Sequence, residues 1–386
     1  MGDERVVLTG LGIVSALGRG LEATLRALRE DQGGLGALTL FPSPRNGHQR
    51  VAEVRGLSSA PRTLALARLA VSDALAAARL PYPRERIALV LGTCVGGMPE
   101  SDVAVASALA EQPFGAETWR HHPCGWTTAT LAIEFELGGH ATTISNACSS
   151  GAQAMAHGSE LLAAGLADAV VAGGADALCR LTLNGFASLL AMDPLGARPF
   201  DRARAGMSLG EGAAFCVLER AAEARARGTE VWAELASSAN TCDAHHATAP
   251  EPEGRGAEAA MRLALERARV RPEEIDYVNA HGTGTRDNDL ADGRALARLF
   301  GARPPALSSV KGAFGHTLGA VGAIEALVCA LALRHGFLPG TVGLSEVDPE
   351  CGVRPLARAT PARARVALSN SFGFGGNNTV LVLRAP

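Results

Sequence analysis

A thiol, two imidazoles and one ammonium stand in this 386-residue chain among glycines and other small residues. Cys148 sits in Asn146-Ala147-Cys148-Ser149-Ser150-Gly151, and His281 opens His281-Gly282-Thr283-Gly284-Thr285. Lys311 and His316 bracket Lys311-Gly312-Ala313-Phe314-Gly315-His316, and a glycine-rich turn follows in Phe372-Gly373-Phe374-Gly375-Gly376. A thiol at a strand-to-helix junction faces unpaired backbone N–H groups, which favour an anion and make the thiolate easier to form. A thiolate is both nucleophile and leaving group, which suits group transfer through a covalent intermediate. His316 lies just before a helical stretch, and an imidazole at a helix N-terminus is biased toward its neutral form. Lys311 is the single lysine among 36 basic residues, and its charge beside two imidazoles would keep them neutral. Glu325 falls well inside an apolar helical run, where a carboxylate needs a partner, and Lys311 is the candidate. Each feature alone has a plainer reading: a core cysteine, structural histidines, a glycine hairpin, a glutamate at a helix edge.

The segments that must carry these groups alternate strand and helix. Strand patterns cover Val6 to Leu11, Ile87 to Gly92, Thr142 to Asn146, Ala169 to Gly173, Ala213 to Glu219, Val231 to Ser238, Ile275 to Ala280, Ala306 to Val310, Arg365 to Asn370 and Thr379 to Leu383. Helical spacing appears over Glu22 to Arg29, Thr63 to Arg79, Gln153 to Ala164, Glu258 to Ala268 and Thr317 to Arg334. A faint repeat links Ala78-Arg79-Leu80-Pro81 and the strand after it to Ala268-Arg269-Val270-Arg271-Pro272 and the strand after that. In each case a helix end and a proline break lead into a strand that closes on Gly-Thr or His-Gly-Thr. Two similar α/β halves fit this pattern, although helix-proline-strand runs are common in α/β chains.

Composition narrows the classes. With 47% hydrophobic residues, 19% charged residues and a net charge of -3, the chain reads as a folded globular protein with no electrostatic footprint for nucleic acid. The apolar stretches Leu161 to Ala175 and Leu318 to Leu333 contain Asp168 and Glu325, so they read as buried elements and no membrane span is expected. The N-terminus runs straight into a strand pattern with no basic and apolar leader. The eight cysteines form no Cys-x-x-Cys pair, which fits a reducing cytoplasmic setting. No zinc spacing is present, and the His121-His122 and His245-His246 pairs read as loop residues.

Together, and in this order, the four segments resemble the catalytic apparatus of the elongating beta-ketoacyl-acyl-carrier-protein synthases. The resemblance extends through Arg198-Pro199-Phe200-Asp201 to Gly212 and through Asp243 to Pro250, so it covers nearly the whole chain. It implies the thiolase fold, duplicated α/β halves in a five-layer αβαβα sandwich. Residues 1–225 would then carry the nucleophile and residues 226–386 the two histidines. The activity it implies is decarboxylative Claisen condensation of a Cys148-bound acyl chain with malonyl-acyl carrier protein, without metal or organic cofactor. By the same resemblance His281 and His316 assist decarboxylation and stabilise the enolate, and Lys311 with Glu325 supports them. The amides of Cys148 and Phe374 form the oxyanion hole, flanked by Gly373 and Gly375. Phe374 gates the acyl pocket, and Thr283 and Thr285 touch the pantetheine arm.

Implied partners are acyl and malonyl carrier proteins, with a homodimer or a heterodimer with a chain-length-factor-like subunit. Because carrier proteins are acidic, arginines near the entrance are candidates for docking: Arg202, Arg204 and Arg255. Segments around 57–63 and 112–125 are trimmed relative to the housekeeping enzymes, which points to a polyketide or aryl-polyene pathway rather than the main fatty acid one. A thiolase would need a second cysteine where Phe374 stands, and a non-catalytic chain-length subunit would lack Cys148.

Overall fold

Two runs of five strands are laid out in the same order. The computed structural model describes residues 5–57, 61–113 and 115–386, apart from the side chain of Thr118, so parts of both trimmed segments lie outside the described residues. The first run is β1 (Val6–Ser15), β2 (Ile87–Gly92), β3 (Ala141–Ile144), β4 (Ala169–Asp176) and β5 (Gly212–Arg220). The second is β6 (Ala233–Cys242), β7 (Tyr277–Asn279), β8 (Ala306–Ser308), β9 (Val366–Gly373) and β10 (Asn377–Arg384). Across the sheet the first reads β3-β2-β4-β5-β1 and the second β8-β7-β9-β10-β6. In both, the second strand is parallel to the third and to the fourth. The fifth is antiparallel to the fourth and to the first. The runs join where β1 lies antiparallel to β6. The faint sequence repeat therefore reflects a true duplication.

Helices fill the layers between and outside these strands. On one outer face α1 (Arg62–Ala78) packs against β1 and β5. It comes so close that a Cβ on Gly10 or Gly12 would sit 2.2 and 1.9 Å from the carbonyls of Ala74 and Ala70. On the other outer face α4 (Arg255–Ala268) packs against β6 and β10. Between the strand layers run α2 (Ser150–Ala163) and α6 (Val321–His335). They touch through their first turns at backbone distance: a Cβ on Gly151 would lie 2.7 Å from Gly319 O, and one on Gly322 would lie 2.8 Å from Ala152 N. Three apolar cores follow, one under each outer helix and one around the central pair. The result is the five-layer thiolase fold.

The apolar run Leu318–His335 is long enough to cross a membrane but is 89% buried as the central helix of the protein. Periodicity does not reveal α5 (Arg286–Phe300), α3 (Arg180–Ser188), Met98–Leu109 or Gly125–Glu134. The α5 helix hides because Asp289 and Asp292 point inward, against the usual polar-outward pattern.

Candidate active site

Every residue at the centre of the site comes from the end of a strand or the start of a central helix. Cys148 lies between β3 and α2, after Ala147 in a left-handed conformation (φ 59°). Small polar neighbours close this turn: Ser150 Oγ donates to Ala147 O at 2.6 Å and accepts from Asn146 N at 3.0 Å. His281 follows β7, while Lys311 and His316 lie in the turn between β8 and α6. Contact between α2 and α6 brings the two turns together, so that His316 Nε2 lies 3.0 Å from Cys148 Sγ. The rings of His281 and His316 stand nearly perpendicular, at 84°, with centroids 5.6 Å apart.

Hydrogen bonds fix the protonation pattern of both imidazoles. Leu318 N–H donates to His316 Nδ1 at 3.2 Å, so the ring proton of neutral His316 sits on Nε2. Lys311 Nζ has three acceptors: His281 Nδ1 at 3.2 Å, His281 O at 2.5 Å and Glu325 Oε1 at 2.5 Å. An ammonium donating to His281 Nδ1 likewise leaves the His281 proton on Nε2. Burial, and then the Lys311 charge, hold both histidines well below their ordinary pKa, so both are neutral at pH 7. Burial pushes Glu325 up to about 7 against the opposing pull of Lys311. The expected Lys311–Glu325 pair is thus present and fully buried.

The thiol departs from expectation. Burial pushes Cys148 up to about 11, in spite of Lys311 and the backbone N–H groups of Phe374 and Cys148 aimed at it. Its position at the head of a helix does not offset the loss of water, so the resting group is a thiol. Those two N–H groups nevertheless form a ready pair of donors beside Sγ. The glycine turn makes this approach feasible, since a Cβ on Gly373 would lie 3.1 Å from Cys148 N, and Gly375 takes φ 79°. The Phe374 ring stacks on Phe186 of α3, with centroids 5.5 Å apart.

A cavity of about 310 Å³ opens above these groups. Thr283 and Thr285 line it, and their hydroxyls lie 2.9 Å apart. The Asp243–Pro250 loop contributes to the wall and ties to the glycine turn, Gly375 N donating to Ala247 O at 2.8 Å. Seven of the ten expected site residues line this cavity, Lys311 and Glu325 lie behind His281, and Gly375 follows Phe374 in the glycine turn. The three arginines expected at the entrance all carry ion pairs, though the Arg202 and Arg255 side chains stay 66% and 75% exposed. Arg204 is buried against Asp348 and Asp289, Arg202 pairs with Glu346 at 2.8 Å, and Arg255 pairs with Glu251 at 2.8 Å.

Three buried aspartates escape sequence reasoning. Asp292 accepts from Gly282 N at 3.0 Å, and Asp289 accepts from Gly284 N at 3.1 Å and Phe200 N at 2.7 Å, which fixes the loop carrying His281. Asp176 accepts from Thr93 Oγ1, Cys94 N, Val95 N and Gly319 N, which joins the turn after β2 to the start of α6. The only signal was their position, at a strand end and in the first turns of a polar helix.

Cys148, His281 and His316 offer one sulfur and two nitrogens within 4.8 Å of one another, a possible metal set by distance alone. Both Nε2 atoms, however, carry protons. Metallation would need Nδ1–H tautomers, which would face the Leu318 N–H and the Lys311 ammonium, and this donor set does not fit a metal.

Residues 53–224 match the family profile described as beta-ketoacyl synthase, N-terminal domain, and residues 232–345 match its C-terminal domain. The chain belongs to the beta-ketoacyl synthase family. It is 33% identical over 411 residues to 3-oxoacyl-[acyl-carrier-protein] synthase 2 of Synechocystis sp., covering 99% of this chain and 98% of that one. It is 35% identical to putative polyketide beta-ketoacyl synthase 1 of Streptomyces halstedii, covering 100% and 99%. Among solved structures, a chain of the ishigamide ketosynthase/chain length factor superposes with a TM-score of 0.95 at 34% identity, covering 100% of both. As a synthase of this family, the chain keeps a thiol and two histidines in one cavity.

Proposed function

We propose that this chain is an elongating beta-ketoacyl-acyl-carrier-protein synthase working through Cys148, His281 and His316. The reading rests on one observation above all: two neutral imidazoles, each fixed as the Nε2–H form, converge beside a buried thiol. In the first half-reaction Cys148 Sγ attacks an acyl thioester, and the amides of Cys148 and Phe374 hold the oxyanion. The thiol proton ends on the departing pantetheine sulfur. In the second, the malonyl thioester oxygen accepts from both Nε2–H groups, which stabilises the negative charge that builds as the C–C bond to carbon dioxide breaks. The enolate carbon then attacks the acyl carbonyl, and Sγ leaves and regains a proton. Loss of carbon dioxide generates the carbanion, so no base removes a carbon-bound proton.

Lys311 and Glu325 hold the tautomer of His281, Thr283 and Thr285 guide the pantetheine arm, and Phe374 with Gly373 and Gly375 gates the acyl space. The acyl and malonyl groups arrive on carrier protein. Eight free thiols suit the cytoplasm. Likeness to both fatty acid and polyketide synthases leaves two assemblies, a homodimer and a catalytic half paired with a chain-length factor. The second is favoured by the ishigamide ketosynthase/chain length factor neighbour. The test is intact-protein mass after mixing with acyl carrier protein. An acyl adduct on wild type and none on Cys148→Ala is expected. An equal adduct on the variant would remove Cys148 as the nucleophile.

A further inference from the structure

Asp176 closes β4 and is fully buried. Three of its four donors come from one turn in its own half, the turn after β2. Thr93 Oγ1 and Val95 N donate to Oδ1, and Cys94 N donates to Oδ2 at 2.8 Å. Those three bonds are enough to explain a buried structural carboxylate. The fourth crosses to the other half of the chain, 143 positions away, where Gly319 N donates to Oδ2 at 2.6 Å. A Cβ at position 319 would lie 2.7 Å from that oxygen, so only glycine lets the amide come this close.

The carboxylate does not serve the nucleophile. Burial is the main cause of the raised Cys148 pKa, and the Asp176 charge adds to the rise instead of opposing it. Its effect lies beyond Gly319. Leu318, the preceding residue, holds φ 50°, a left-handed conformation that is strained for leucine. Leu318 N–H is the donor to His316 Nδ1 at 3.2 Å. The His316 backbone is tied separately, its N–H donating to Ser208 O at 2.7 Å and its carbonyl accepting from Gly210 N at 2.9 Å. Those two bonds fix where the residue sits but not which ring nitrogen carries the proton. That choice rests on Leu318 N–H, and the strained turn that presents it is clamped on its far side by Asp176.

We propose that Asp176 is a positioning residue for His316. By holding the Gly319 amide it keeps the Leu318 turn closed, so that Leu318 N–H stays on Nδ1 and the ring proton stays on Nε2, ready for the malonyl thioester oxygen. This rests on the condensing-enzyme reading above. Asp176 thus does for His316, through the backbone, what Lys311 does for His281 directly.

The experiment compares wild type, Asp176→Asn, Thr93→Val, His316→Gln and the double variant Asp176→Asn/His316→Gln. Acyl loading is followed by mass, and carbon dioxide release from malonyl-acyl carrier protein gives kcat and KM. Nitrogen NMR of protein carrying isotope-labelled histidine reports which nitrogen of His316 is protonated, with the signal assigned by its loss in His316→Gln. In Asp176→Asn a neutral amide replaces the charge-assisted acceptor, so the His316 signal shifts toward the Nδ1–H form. Decarboxylation kcat then falls roughly tenfold, short of the 10²–10³ for complete loss of a donor. KM and loading change less than about threefold, as expected for an interaction made only in that transition state. Thr93→Val removes a donor from the same carboxylate and lowers Tm, but it leaves the Gly319 bond, so tautomer and kcat hold. Glutamine at 316 carries an N–H without any tautomer to fix, so in that background Asp176→Asn has little further effect on kcat. If Asp176→Asn is insoluble, Asp176→Glu is read in the same way, since its longer side chain moves the carboxylate off Gly319 N. A His316 signal that stays Nε2–H in the folded variant, or fully additive losses in the double variant, would overturn the proposal. If wild type neither loads nor decarboxylates, the condensing-enzyme reading fails, and the NMR signature still decides whether Asp176 sets the His316 ring.

Discussion

Replacing Lys311 by methionine tests the electrostatic core of the site. Lys311 Nζ is the group that donates to His281 Nδ1, and it also binds His281 O and Glu325 Oε1. Methionine fills similar space without a charge or a donor. His281 is then free to carry its proton on Nδ1, which turns Nε2 from donor to acceptor. Loss of one such donor costs roughly 10²–10³ in rate. Glu325, already pushed up to about 7 with Lys311 present, becomes protonated at neutral pH, and this limits the cost of leaving a buried carboxyl without its cation. The Lys311 charge also lowers both histidine pKa values, so its removal shifts the acid limb of activity toward higher pH. The assay separates the two half-reactions, with acyl loading followed by mass and carbon dioxide release followed from malonyl carrier protein. Loading should fall by less than about tenfold, since the amides beside Sγ remain. Decarboxylation should fall by roughly 10²–10³. A folded Lys311→Met protein that decarboxylates within about threefold of wild type would show that the His281 tautomer does not depend on Lys311.

Other outcomes follow from the same geometry. Alkylation of Cys148 by iodoacetamide should keep rising from pH 7 to beyond pH 9, because burial pushes the thiol up to about 11; a plateau below pH 8 would contradict this. Asp176→Ala strips the acceptor from four buried donors at once and should cost several kcal/mol, about 1–3 for each unsatisfied group, read as lost solubility or a large drop in Tm. Gly151→Ala puts a methyl 2.7 Å from Gly319 O and should cost about 1–3 kcal/mol while lowering loading, because it pushes α2 away from α6; an unchanged Tm would mean the helices yield freely. Phe374→Ala removes the ring stacked on Phe186 and should change which acyl chain lengths load, so an identical chain-length profile would argue against gating.

The chemistry was more legible than its supports. Lys311 and Glu325 stood out because a lone lysine and a carboxylate in an apolar helix each require a partner, and tertiary structure supplies one to the other. Long apolar strands such as β2 were readable to the residue, whereas β9 continues past Asn370 to Gly373 and carries the glycine turn into the site. The α5 helix was not readable, because its buried face is made of Asp289, Asp292 and small residues that take their meaning from loops distant in sequence. The pull of the helix-start amides on Cys148 is present but outweighed by burial, for a related reason. Sequence shows the local helix start, but not the desolvation imposed by residues more than a hundred positions away. Of the arginines considered for docking, folding buries Arg204 against Asp348 and leaves Arg202 and Arg255 exposed, a difference that composition does not reveal.

Cys148 is buried by parts of the chain that do not yet exist when it is made. His281, His316 and Phe374 come from the second half, and Phe374 follows Cys148 by 226 residues. At about 5–20 residues per second, roughly 10–45 s of translation separate the two. Without those residues the thiol keeps its own backbone N–H but lacks both the Phe374 N–H and the burial that pushes its pKa up. The nascent chain is therefore more exposed to oxidants and electrophiles than the finished enzyme, and a reducing environment matters most to this protein while it is still on the ribosome.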